Sequence, residues 1–132
     1  MTSEIYWSVC TVTMTGLFWV PYILNRMREM GVWTAIANPN ADPTPKAAWA
    51  KRMMAAHRNA VENLVIFAPL VLALAASNIS TAFTTQVCML YFYVRLAHFV
   101  VYTLGVPVLR TVMFAIGVGC QMMLAYQLLL LA

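Results

Sequence analysis

The sequence is short of charge. Charged residues make up 9% of its 132 positions, against roughly 25% in an average globular domain, too few to coat a water-facing surface. Cysteine is sparse and unpatterned: Cys10, Cys88 and Cys120 lie inside apolar runs with no CxxC or Cys/His spacing, so neither a disulfide framework nor a metal site is expected. The sequence contains no phosphate-binding glycine loop, no HExxH and no Ser/His/Asp constellation. The first apolar run follows Glu4 without a basic leader or an A-x-A cleavage site, which predicts a retained span rather than a signal peptide. Together these shortages exclude a soluble enzyme, a nucleic-acid module and a disulfide-stapled secreted domain. The net charge of +4 is assigned to membrane topology, with no nucleic-acid partner expected.

What the chain does have is apolar sequence, 63% of it. Uncharged runs extend over Ile5 to Asn25, Asn63 to Val94, Leu96 to Leu109 and Thr111 to Ala132, and about 20 mostly apolar residues suffice to cross the hydrocarbon core. The expectation is a single domain, 1–132, with an all-α fold: an integral membrane four-helix bundle with helices at about 5–25, 45–76, 82–104 and 111–131. The proline-rich segment at 38–45 makes the one substantial loop, with Thr44 as the expected N-cap and Pro45 as the first residue of the second helix. SNIST at 77–81 splits the longest run, and Gly105, Pro107 and Arg110 interrupt the chain before the fourth helix. Arg26, Arg28, Lys46, Lys51, Arg52 and Arg58 cluster around the first loop and Arg110 lies in the third. The positive-inside rule therefore puts both loops in the cytoplasm and both termini outside.

Charges at membrane level are costly, at least about 2.5 kcal/mol each on insertion scales, so Arg58, Glu62 and Arg95 must face the bundle interior or a wet cavity. Arg58, Asn59 and Glu62 share a broad face of the second helix. Arg95, His98 and Tyr102 form a stripe on the third. Two polar stripes at similar depth predict a polar seam between these helices, and the same residues also fit a packing pair in which Glu62 and Arg95 neutralise each other. His57 fits an ordinary hydrogen-bonded interfacial histidine, and the ten methionines fit apolar filler. Thr111, Ala115 and Gly119 form a small-residue stripe of the kind that lets helices approach closely, within or between subunits. Trp7, Trp19, Trp33 and Trp49 fall near span ends, as interfacial anchors do. Asn78-Ile79-Ser80 matches a glycosylation sequon and carries no functional weight.

AHRNAVEN (56–63), ANP (37–39), RLAHFVVY (95–102) and the ending AYQLL (125–129) resemble the MAPEG family, the membrane-associated proteins in eicosanoid and glutathione metabolism. The likeness is to microsomal glutathione transferase and prostaglandin E synthase members and extends over nearly the whole chain. Its most specific part is A-H-x-N-x-x-E-N on the second helix combined with R-x-x-H-x-x-x-Y on the third. The resemblance implies a homotrimer that binds glutathione between neighbouring subunits near the cytoplasmic side. Arg58, Asn59, Glu62, Arg95 and His98, with Arg52 and His57, are then expected to bind it, while Arg110 and Tyr102 take the catalytic roles. Ala55 stands where many members carry arginine, and Arg52, one turn further back, is expected to compensate. Thr111 and Phe114 replace the serine and tyrosine usual in the prostaglandin synthase branch. The short termini and compact loops look like those of a bacterial member, placed in the inner membrane.

The residues agree with that ligand on chemical grounds. Glutathione carries two carboxylates, an ammonium and a thiol, and three arginines with one glutamate meet them, arginine pairing carboxylates in a planar fork. A nearby cation lowers the pKa of a thiol below its usual value of about 8.5. The expected activity is a glutathione-dependent transferase with peroxidase capacity. Its hydrophobic electrophiles or lipid hydroperoxides would enter laterally from the bilayer lipids. The alternatives are a non-catalytic glutathione- or lipid-binding scaffold of the same fold and, less supported, a small transporter with a Glu62/Arg95 relay, since no inverted repeat is visible.

Overall fold

The computed structural model describes residues 1–39 and 44–131; Asp42 and Pro43 of the first loop lie outside the described residues. Among the described residues the chain is all helix, in the order α1 (Ser3–Leu17), α2 (Val20–Met30), α3 (Val32–Ile36), α4 (Ala48–Ala76), α5 (Ala82–Leu104) and α6 (Pro107–Leu131). Four rods are long and apolar enough to cross a membrane: Ser3–Met30, Ala48–Ala76, Ala82–Leu104 and Pro107–Leu131. The first is interrupted at Phe18 and Trp19 because Pro21, at the start of α2, has no N–H to give the preceding turn. Gly31, at φ +84, ends α2.

Helix starts depart from the sequence reading in two informative places. At α4, Ala47 rather than Thr44 is the N-cap residue and offers no side-chain bond. The Glu29 carboxylate, seventeen residues back, takes the cap's place by accepting from the backbone N–H groups of Lys46 and Ala47, both at 3.0 Å, and from Asn25 Nδ2 at 2.9 Å. At α6 the helix begins with Pro107, whose missing N–H is one the first turn leaves unused. Arg110 therefore belongs to the first turn of a helix rather than to a loop.

α5 lies at the centre, packed against α1, α4 and α6, while α4 also touches α1 and α6. Two apolar clusters fill the bundle. One gathers Phe67, Val71, Leu74, Val87, Cys88, Tyr91, Cys120 and Leu124; the other gathers Phe18, Met53, Ala56, Ala60 and Phe99, with Phe18 stacked on Phe99 at 3.6 Å. Between them along α4 and α5 runs a polar layer of Asn59, Asn63, Arg95 and His98, joined by Gln121 from α6. At 29 residues α4 is about 43 Å long, beyond the roughly 30 Å hydrocarbon thickness, so about two turns of it, at the end that carries Lys51 and Arg52, exceed the apolar slab.

The far end is tied by a buried carboxylate. Glu4, 2% exposed, accepts from Ser80 Oγ, Thr84 Oγ1 at 2.6 Å and Thr85 Oγ1, clamping the start of α1 to the α4–α5 turn. Thr84 also completes a capping box with Thr81 at the start of α5. The expected small-residue stripe turns outward: Thr111 and Ala115 are exposed, and a Cβ added at Gly119 would meet nothing within 4 Å. Gly117 is instead the buried glycine of α6, with Arg95 Cδ 3.4 Å from where its Cβ would stand.

Candidate functional site

The polar layer opens into a cavity of about 220 Å³ lined by Asn59, His98, Tyr102, Arg110, Thr111 and Phe114. Three helices supply it because α4 and α5 carry their polar stripes at one level and α6 returns immediately after a tight turn. The Arg110 guanidinium carbon stands 4.5 Å from the centre of the Tyr102 ring, a cation over an aromatic face. His98 packs its ring edge-on to Tyr102 at 5.5 Å.

Arg95 is 2% exposed, and its Nη2 donates to Asn59 Oδ1 at 2.7 Å. Among the described residues its Nε and Nη1 have no partner, nor does Nδ1 of His98, itself 2% exposed. The Glu62/Arg95 packing pair is not formed: Glu62 is exposed, one turn from the Asn59 that Arg95 holds. Asn59 is in turn fixed by a buried relay. Asn63 Nδ2 donates to the Asn59 carbonyl at 2.9 Å, and Gln121 Nε2 reaches the Asn63 carbonyl at 3.1 Å and the Tyr91 hydroxyl at 3.3 Å. Gln121 and Tyr91 belong to this polar layer and were not among the candidates the sequence offered, although an amide inside an apolar span is itself the signal.

His57, Arg58 and Glu62 do not line this cavity. They border a second, of about 300 Å³, with Tyr22, Met54 and Val61. Arg58 and Glu62 are both exposed on the surface of the chain. His57 Nδ1 shares a hydrogen bond of 2.8 Å with the Tyr22 hydroxyl, tying α2 to α4. Arg52 lines neither cavity; its Nε donates to the Thr103 carbonyl at 2.8 Å. An apolar groove of about 550 Å³ between the first rod and α5, lined by Phe18, Phe92 and Phe99 among others, holds none of the candidate site residues. Among the described residues no group of three His, Cys, Asp or Glu side chains could hold a metal ion.

Four membrane-length helices define a multi-pass membrane protein, and its polar layer meets a cavity lined by Arg110 and Tyr102. The sequence profile of the MAPEG family matches residues 6–130, and the chain belongs to that family. Membership makes it a membrane protein of glutathione or eicosanoid metabolism. No curated protein and no solved structure matches the chain significantly.

Proposed function

We propose that the protein is a glutathione-dependent transferase, with peroxidase capacity, acting on lipophilic electrophiles or hydroperoxides. The observation that carries this reading is the Arg110 cation over Tyr102 in a cavity that Asn59 and His98 also line. The buried Arg95 guanidinium bonds to that Asn59, and its Nε and Nη1, without a partner among the described residues, need an acceptor and suit a glutathione carboxylate. Glu62, exposed next to Arg58 on α4, suits the ammonium, and Arg58 the second carboxylate. The ligand then extends from the cavity around the surface of α4, which a neighbouring subunit of a homotrimer covers.

Arg110 stabilises the thiolate by its charge and Tyr102 donates its hydroxyl proton to the sulfur as a hydrogen bond. In the transferase reaction the sulfur forms a bond to the electrophilic carbon as the leaving group departs with the bonding pair. In the peroxidase reaction two glutathione molecules are oxidised to the disulfide while the hydroperoxide is reduced to alcohol and water. The second substrate arrives from lipid, past Thr111 and Phe114. The basic residues gather at the end of the bundle formed by the start of α4, the end of α5 and the start of α6, which supports a cytoplasmic site in a bacterial inner membrane.

The test is calorimetric binding of glutathione to the detergent-purified protein, with absorbance in the thiolate band read on the same sample. Binding with thiolate absorbance at neutral pH is expected, and Arg110→Ala should keep most of the affinity while losing the absorbance. Binding without thiolate in the wild type would overturn the transferase reading in favour of a non-catalytic scaffold.

A further inference from the structure

Arg52 is a cation of the charged half of α4 that points away from both cavities, and what it holds is the joint between α5 and α6. The last four carbonyls of a helix have no donor within it, and here three of the four, those of Val101, Tyr102 and Thr103, receive one. The N–H of Gly105 bonds to Tyr102 O and that of Val106 to Val101 O, both at 3.0 Å, while Thr103 O receives Arg52 Nε at 2.8 Å. Gly105 sits at φ +81, the left-handed cap that favours glycine, and the Arg52 guanidinium lies directly against it. A Cβ there would come 3.2 Å from Nε and 3.3 Å from Cζ.

This joint has little slack. Val106 alone separates the cap from Pro107, where α6 begins, and the Arg110 N–H already bonds to Val106 O at 3.2 Å. Arg110 then reaches back across the joint to stand over Tyr102 of α5. Any change in the direction in which α6 leaves the cap therefore moves Arg110 relative to Tyr102, and α4 controls that direction through Arg52.

We propose that Arg52 is a positioning residue: by holding the Thr103 carbonyl and packing on Gly105 it locks the α5–α6 joint, so that Arg110 stays above Tyr102. It acts on the thiol through Arg110 and does not touch the substrate. The chemical part of this inference rests on the glutathione reading above; the mechanical part does not.

The experiment compares wild type with Arg52→Gln, Arg52→Lys and Gly105→Ala, all as full-length protein in detergent. Arg52→Gln should leave glutathione affinity within about twofold, yet raise the pH midpoint of thiolate formation by roughly one unit, a tenfold weakening of thiolate stabilisation. Lysine, which keeps a charged donor, should recover much of it. Gly105→Ala, which strains the left-handed cap and crowds the guanidinium, should loosen the same joint and, paired with Arg52→Lys, keeps the test open if Arg52→Gln fails to fold. Backbone hydrogen exchange over residues 101–110 of the ligand-free protein should quicken in the glutamine variant more than elsewhere in α5 and α6. Loss of affinity with an unchanged exchange rate at the joint would make Arg52 a direct ligand and overturn the proposal. Exchange unchanged with an unshifted midpoint would overturn it as well. A wild type that neither binds glutathione nor forms thiolate would refute the functional reading, while the exchange rates would still decide whether Arg52 holds the joint.

Discussion

Arg95 is buried to 2% exposure with two of its nitrogens unpaired, and its polar contact is a neutral amide rather than a carboxylate. A bundle optimised for stability alone would not keep such a group, because a buried cation without a counter-charge costs more than an apolar side chain of similar volume. Under the proposed function the ligand, not the fold, explains the guanidinium. Arg95→Met is expected to leave the thermal midpoint unchanged or higher and to weaken glutathione binding by about tenfold or more, the scale of a lost charge-assisted hydrogen bond. Calorimetry beside a thermal melt checks both halves; a collapsed melt would show that Arg95 is structural. The sequence singled out Arg95 by its cost at membrane level, yet it offered Glu62 as partner. A three-residue shift of partner on one helix is not legible without knowing how α4 is rotated against α5, and it is that rotation which gives Asn59 to Arg95 and turns Glu62 outward.

Among the elements, α6 carries the clearest division between what pattern tells and what packing decides. Its apolar length was legible, whereas its beginning at Pro107 and the glycine it uses were not, because both depend on α5. Gly117 passes Arg95 Cδ and Tyr91 Cε2 at 3.4 and 3.8 Å from its notional Cβ, ordinary contact distances, so one methyl group fits there and a longer side chain does not. Gly117→Ala should hold or raise stability, since alanine is favoured over glycine within a helix by about 1 kcal/mol. Gly117→Leu should cost about 1–3 kcal/mol through overpacking and displace Arg95 from Asn59. Unfolding of the two variants in the same detergent checks the pair, and a leucine variant as stable as the alanine one would mean that α6 does not press on the arginine. The start of α4 teaches the same lesson from the other side: Thr44 and Pro45 form a good local signal, but the Glu29 carboxylate caps the helix later, at Ala47. A cap supplied from another helix leaves no local trace.

For the molecule as a whole, the four spans and the all-helical class followed from run lengths and charge scarcity, because hydrocarbon thickness is a ruler that sequence must obey. The division of the candidate site did not follow. One group of residues, Asn59, His98, Tyr102 and Arg110, lines a cavity between α4, α5 and α6, while Arg58 and Glu62 stand exposed on the flank of the chain. Charges facing lipid near the membrane would be penalised, so that flank needs either water or a second copy of the chain, and the proposed homotrimer answers this by closing over the ligand. The consequence is a thermodynamic linkage: a ligand held between subunits must stabilise the assembly against dissociation, by about 2.7 kcal/mol per site at a hundredfold excess over Kd. Native mass spectrometry from detergent should accordingly show three copies retaining glutathione, with the trimer surviving higher activation energies when the ligand is present, and released monomers carrying none. Monomers that bind glutathione as tightly as the assembly would place the whole site within one subunit, and the exposed Arg58 and Glu62 would then have to be explained by a water-filled surface instead.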